Sequence, residues 1–134
     1  MNNLSTIVSF ITDKTRRNAA KYGDLLPTHT KDGVYEFSEN GFWTGLNWLS
    51  YELTGDEGFI RTARDSYPRL LKRLYDTPET LDHDIGFLYS LSFVADYKIT
   101  GNPEALKVAL DAADRLAERF NEKGQFQRRM RIRA

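Results

Sequence analysis

Residues 51–73 read YELTGDEGFIRTARDSYPRLLKR, and residues 97–119 read YKITGNPEALKVALDAADRLAER. Tyr51, Thr54, Gly55, Ala63, Asp65, Leu70 and Arg73 recur as Tyr97, Thr100, Gly101, Ala109, Asp111, Leu116 and Arg119, at a constant offset of 46. Upstream, Gly41-Phe42 recurs as Gly86-Phe87, one residue out of step. A unit of helix, Thr-Gly turn and capped helix is thus used twice. Periods of roughly 40–47 residues mark stacked helical hairpins. Such a unit cannot bury its apolar face alone, so at least about three are expected. This sequence holds two and an unpaired first helix, which predicts an incomplete assembly. Periodicity leaves two architectures open: an open solenoid or a closed ring of hairpins.

Outward from the repeat, the apolar spacing stays helical. Leu4, Ile7, Val8 and Ile11 form one stripe of a first helix ending near Lys21. Residues 22–40, with Gly23, Pro27 and Gly33, are predicted to form a long loop, a feature that is often functional. A second helix is expected from Phe42 to Thr54, with Gly55 at its C-terminal turn. A third runs from the N-cap Asp56 to about Tyr75, kinked or broken by Pro68. The fourth covers about His83 to Thr100 and is closed by Gly101. The fifth opens with Asn102 as N-cap and Pro103 at the first helical position. Its stripe is Leu106, Ala109, Ala113, Leu116, Ala117 and Phe120, and Gly124 is its expected stop. No segment shows sustained strand alternation, so the predicted class is all-α.

Bulk composition narrows the partners. The 134 residues carry 40% apolar side chains, 19 basic against 19 acidic groups, and no cysteine. The balance argues against nucleic acid and membrane surfaces as partners. Disulfide and thiolate chemistry are excluded. The first residues lack a basic n-region, and no stretch approaches the roughly 20 apolar residues of a membrane span. A soluble, cytoplasmic protein is expected. Arg128, Arg129, Arg131 and Arg133 crowd the last residues. They read either as a short basic arm or as a solvated end.

The densest polar cluster is Leu81-Asp82-His83-Asp84-Ile85-Gly86-Phe87, at a predicted helix start. Carboxylates there are favoured by unpaired amides and the positive end of the helix dipole, so Asp82 or Asp84 could simply cap. His29 is the only other imidazole, and no metal site is expected. The first repeat offers a parallel, Glu39-Asn40-Gly41-Phe42-Trp43-Thr44-Gly45, with Glu39 two residues before its Gly-Phe pair as Asp84 is before the second. In a ring of hairpins such positions converge on one end of a central cavity. Trp43 would then offer a flat apolar face to a sugar ring; alternatively Phe42, Trp43 and Trp48 are core.

These motifs, taken in order, resemble glycoside hydrolase family 88. Gly41-Phe42-Trp43-Thr44-Gly45, Trp48-Leu49 and Tyr51-Glu52-Leu53-Thr54-Gly55-Asp56-Glu57 are similar to the family's first signature. Leu81-Asp82-His83-Asp84-Ile85-Gly86-Phe87 is similar to its His-Asp-aliphatic-Gly-Phe signature. Asp32-Gly33-Val34-Tyr35, Tyr97-Lys98-Ile99-Thr100-Gly101 and Ala112-Ala113-Asp114-Arg115-Leu116-Ala117 also fit, so the resemblance spans about residues 30–124. It implies an (α/α)6 toroid of the six-hairpin type, incomplete in this chain, and so favours the ring.

The resemblance further implies an unsaturated glucuronyl hydrolase. Its substrate would be an unsaturated glycosaminoglycan oligosaccharide, a lyase product with a 4,5-unsaturated uronic acid at its non-reducing end. The enol-ether double bond is protonated, water adds at the adjacent carbon, and the resulting hemiketal opens so that the glycosidic link falls apart. That chemistry differs from displacement at an anomeric carbon. It needs a carboxyl group that donates a proton and then activates water, and no metal or organic cofactor. Carried over by position, Asp84 matches the active-site Asp of the first half, His83 the adjacent substrate-contacting His, and Trp43 the aromatic residue that packs on the unsaturated sugar. The family's principal acid/base Asp lies in a hairpin further along, so no residue here receives that role. Residues 1–127 are expected to be the N-terminal portion of a toroid catalytic domain, and 128–134 an Arg-rich tail outside the family pattern. That departure suggests a truncated or frame-shifted product, inactive alone, with self-association through exposed apolar faces. The alternative is a non-catalytic helical-repeat interaction module.

Overall fold

In a computed structural model, residues 3–38, 40–124 and 126–127 are described. Glu39 and the arginine-rich tail 128–134, both singled out above, lie outside the described residues. The chain is built from seven α-helices, α1 (Asn3–Tyr22), α2 (Phe42–Thr54), α3 (Glu57–Asp65), α4 (Tyr67–Tyr75), α5 (Ile85–Tyr89), α6 (Ala95–Thr100) and α7 (Pro103–Ala117). Strands β1 (Pro27–Lys31) and β2 (Val34–Phe37) join α1 to α2, and β3 (Phe120–Asn121) with β4 (Phe126–Gln127) follow α7.

The repeat seen in the sequence is a repeat of local chemistry. Gly55 and Gly101 close α2 and α6 in the left-handed region, at φ 70° and 73°, where a side chain would be strained. Thr54 and Thr100 donate back to the carbonyls of Ser50 and Asp96. Asp56 and Asn102 then cap the next helices, accepting from the amides of Gly58 and Glu104 at 2.9 and 3.1 Å. The outcome is two helical hairpins, α2 with α3–α4, and α5–α6 with α7.

Pro68 does break the third predicted helix, and α3 ends at Asp65. Ser66 turns the chain, donating to Ala63 while its hydroxyl meets Thr44 at 2.9 Å. Pro68 falls in the first turn of α4, where its missing N–H is tolerated. The fourth predicted helix is one rod with a π-helical turn, Ser90–Val94, between α5 and α6.

The two leading helices run side by side and parallel, because Gly41 meets the carbonyl of Phe87 and Gly45 meets Leu91 one turn later. A Cβ at Gly41 would fall 1.9 Å from the Phe87 carbonyl oxygen, so only glycine allows this approach. The main core lies within the second hairpin and against α4, where Leu70, Leu74, Ile85, Leu88, Phe93, Ala105 and Ala112 pack together. A polar clasp ties the hairpins. Asp96, fully buried, accepts from Arg64 at 2.7 and 3.1 Å, from Tyr67 at 3.0 Å and from Thr100 at 2.7 Å. Burial works to raise the Asp96 pKa, but these donors outweigh it and hold the carboxyl below its ordinary value.

Three expectations need correcting. Residues 22–40 are not a structureless loop, since β1 and β2 pair antiparallel with Lys31 opposite Val34. The link Asp32-Gly33 has both residues at positive φ, 51° and 79°, the signature of a tight type I′ hairpin. The fifth helix stops at Ala117 rather than near Gly124; Phe120 joins a strand and pairs opposite Gln127. In α1 the helical period holds, but the apolar stripe faces outward: Leu4, Ile7 and Ile11 are exposed, while Thr12 and Thr15 are buried. Those threonines satisfy their hydroxyls on the carbonyls of Val8 and Ile11, so burying them leaves no orphan group.

Candidate functional site

The chain reaches the Asp82-His83-Asp84 turn through a held connector. After α4 it makes a 3-10 turn, Pro78–Thr80, and buries Leu81 in the core. The repeat-equivalent arginines grip consecutive carbonyls of this connector: Arg73 donates to Thr80 at 3.1 Å and Arg119 to Leu81 at 3.3 Å. Asp82 then accepts the amide of Asp84 at 2.8 Å, folding the turn back on itself. α5 begins directly after Asp84, whose carbonyl accepts from Phe87 and Leu88.

The two carboxylates therefore divide the work. Asp82 is spent on the turn. Asp84 sits at the N-cap, but its side chain makes no capping bond, so simple helix capping does not account for it. Its carboxylate instead lies 3.3 Å from His83 Nε2, with both side chains just under half exposed. A partly solvated carboxylate beside an imidazole can pass a proton or orient a water molecule. Ligand atoms of Asp82, His83 and Asp84 lie within 4.8 Å of one another, but one Asp82 oxygen is already held by the Asp84 amide. His29, the other imidazole, sits on β1 and contacts Glu36 at 3.0 Å.

The first repeat meets this turn through its aromatic residues. Phe42 and Phe87, the equivalent members of the two Gly-Phe pairs, stack at 5.6 Å and stand 61% and 54% exposed. Two helix starts, one from each repeat, thus converge as the ring geometry requires. Trp43 is 5% exposed. It backs a cleft of about 310 Å³ between α1, the β1–β2 hairpin and α2, with Phe10, Ile11, Lys14, Asn18, Tyr35 and Phe42 among the lining. Of the two readings of Trp43, core and sugar face, the geometry combines parts of each: it is a buried wall of an open cleft. The exposed aromatic is Phe42. Sequence reasoning missed this stack, although the repeated Gly-Phe pair was its signal.

No protein-family model matches the sequence. Curated relatives do. The chain is 43% identical over 102 residues to an unsaturated chondroitin disaccharide hydrolase of Streptococcus pneumoniae, covering 72% of this chain and 26% of that protein. It is 46% identical over 114 residues to an unsaturated glucuronyl hydrolase of Bacillus sp. strain GL1, covering 79% of this chain and 30% of that protein. Among solved structures, an unsaturated glucuronyl hydrolase from Streptococcus agalactiae superposes with a TM-score of 0.80 at 32% identity, over 93% of this chain and 34% of that one. One described as specific for heparin gives 0.78 at 26% identity, over 95% and 35%. The chain therefore spans about a third of the length of its relatives, and its two hairpins are those of an (α/α)6 toroid.

Proposed function

The chain belongs to glycoside hydrolase family 88, and we propose that it contributes the Asp84 half of a site that hydrates the 4,5 double bond of an unsaturated uronyl oligosaccharide. One observation carries the reading. A carboxylate free of helix capping, with an imidazole 3.3 Å away, stands beside the aromatic stack that joins the two repeats. In the proposed reaction a proton adds to C4 of the enol ether and a water oxygen bonds to C5. The hemiketal so formed opens, breaking the C5 ring-oxygen bond and releasing the rest of the sugar chain at C1. Asp84 holds and orients the reacting ring, His83 contacts it and keeps the carboxylate in place, and Trp43 backs the sugar from the cleft. Metal and organic cofactors have no part in this scheme.

A full cycle needs a principal acid/base, and no residue here is given that role. The chain alone is expected to bind an unsaturated chondroitin disaccharide without turning it over. Binding is read by calorimetry, and turnover by loss of the alkene's ultraviolet absorbance. Asp84→Asn should alter binding by several-fold. Absorbance loss above buffer background would sink the claim of a partial site, and no detectable binding would sink the function.

A further inference from the structure

The cleft behind Phe42 holds more unused polar groups than a packing defect would. Its rims come from three elements: Lys14 and Asn18 from α1, Tyr35 from β2, and Trp43 from α2. Among the described residues Lys14 has no carboxylate partner, and neither Asn18 nor the Tyr35 hydroxyl has a hydrogen bond. The indole N–H of Trp43 is buried and also without a partner. A buried donor left unpaired is costly in a folded protein and calls for an acceptor from elsewhere. Around these donors the walls are aromatic and aliphatic: Phe10, Ile11, Phe42, Pro27 and Leu46. Flat apolar walls with a few fixed donors and one cation form the chemistry that recognises an acidic pyranose.

The larger cleft, about 580 Å³ between α1 and α3, does not compete. Its Arg16 is held by Asp13 and Asp56, and its Arg64 by Asp96, so those cations are already committed. Lys14 is uncommitted. Phe42 belongs both to the smaller cleft and to the stack on Phe87, one helical turn beyond Asp84.

We propose that the cleft between α1, the β1–β2 hairpin and α2 is a subsite for an anionic sugar ring, with Lys14 pairing to its carboxylate or sulfate and Asn18, Tyr35 and the Trp43 indole donating to its oxygens. This rests on the reading of Asp84 as the reacting end, and assigns the cleft the recognition of charge. Lys14 is then a specificity residue contributed by the unpaired first helix.

Nitrogen-detected NMR on the 134-residue chain separates the two ideas, because an indole N–H gives its own signal, and Trp48→Phe identifies which of the two belongs to Trp43. Unsaturated chondroitin disaccharides, sulfated and unsulfated, should shift the Trp43 indole and the amides of Ile85–Phe87 together. Lys14→Met, which keeps the apolar stem on an exposed position, should weaken binding about fivefold to tenfold. Tyr35→Phe should weaken it less. A greater loss on the sulfated ligand identifies sulfate as the group Lys14 reads, and an equal loss on both identifies the carboxylate. Shifts at Ile85–Phe87 with a silent Trp43 indole, or unchanged affinity in Lys14→Met, overturn the subsite and leave Asp84 standing. Shifts at the indole alone keep the subsite and overturn the Asp84 reading. A neutral disaccharide that binds as well as the acidic ones overturns the role of Lys14.

Discussion

Asp96 shows how one buried charge is held and what acid should do to it. Its carboxylate is fully buried and takes four donors from three side chains, two of them from the half-exposed Arg64. Asn102 adds a fifth contact at 3.3 Å. Removing the carboxylate orphans Tyr67 and Thr100, while Arg64 can turn to water. Asp96→Ala should therefore cost about 2–3 kcal/mol, below the loss for a wholly buried pair, read as a shift in urea midpoint. The sign of the pH effect follows from the lowered pKa. The unfolded chain protonates first, so the stabilisation is fully present above the ordinary value of 3.8 and is lost as pH falls from there through the lower folded value. Asp96→Asn should flatten that part of the acid-unfolding curve; an unchanged slope between pH 4 and the acid limit would refute the assignment. Gly41 is the other sensitive residue. Gly41→Ala drives a methyl into the Phe87 carbonyl oxygen and should destabilise by about 1–3 kcal/mol, the range for overpacking. Its second effect is specific: the Phe42–Phe87 stack opens, which near-ultraviolet circular dichroism reads directly.

At the scale of elements, what was legible depended on whether the cause was local. Asp56 and Asn102 cap because an oxygen one bond from Cβ reaches the amide two residues on, wherever the helix docks. Gly55 and Gly101 stop their helices for reasons equally local. Asp56→Ala and Asn102→Ala should each lower stability by about 1 kcal/mol, with Asn102→Ala the larger because it also loses Asp96. Thermal melts at equal concentration check the order. The β1–β2 hairpin was readable too, since Asp32-Gly33 between Thr-His-Thr and Val-Tyr-Glu-Phe is a hairpin signal, but Pro27 and Gly33 were weighed as loop formers instead. The π-helical turn at Ser90–Val94 was not readable. Leu91 there presses on Gly45 of the other repeat, and Tyr67 reaches the Ser92 carbonyl at 3.4 Å, contacts made across the fold rather than along the chain. The site divides in the same way. Asp84 and His83 were visible as a dense motif. That Phe42 is exposed while Trp43 is buried depends on the phase of α2 against its neighbours, and Lys14 and Tyr35 enter the cleft only once α1 and the hairpin dock.

The whole molecule leaves two faces uncovered. On α1, Leu4, Ile7, Phe10 and Ile11 are exposed; on α2, Phe42, Leu49 and Leu53 lie on one stripe at helical spacing and are exposed as well. Scattered apolar residues on a surface need no explanation, but a stripe along one helix does. In a closed ring each leading helix has a parallel neighbour on both sides. Here α2 has α5–α6 on one side, and α1 on the other reaches it only in part, through Thr15 and its neighbours. Relatives about three times as long have further chain with which to cover such faces. The expectation for this chain is therefore self-association driven by α2, and sedimentation equilibrium should show a mass that rises with concentration. Leu49→Glu combined with Leu53→Lys changes two exposed positions and leaves the cleft residues untouched. Those substitutions should return the chain to a monomer without lowering its melting temperature by more than a few degrees. A wild-type chain that stays monomeric at high concentration would refute the role given to α2. A variant that still associates would move the contact to Leu4, Ile7 and Ile11 on α1, where Ile7→Glu then becomes the discriminating substitution. The outcome bears on the subsite as well, because Phe10, Ile11 and Phe42 belong to both the open faces and the cleft. If copies associate through those residues, acidic disaccharide and self-association compete, and ligand should lower the apparent mass; if they associate through Leu49 and Leu53 alone, the mass should not respond to ligand.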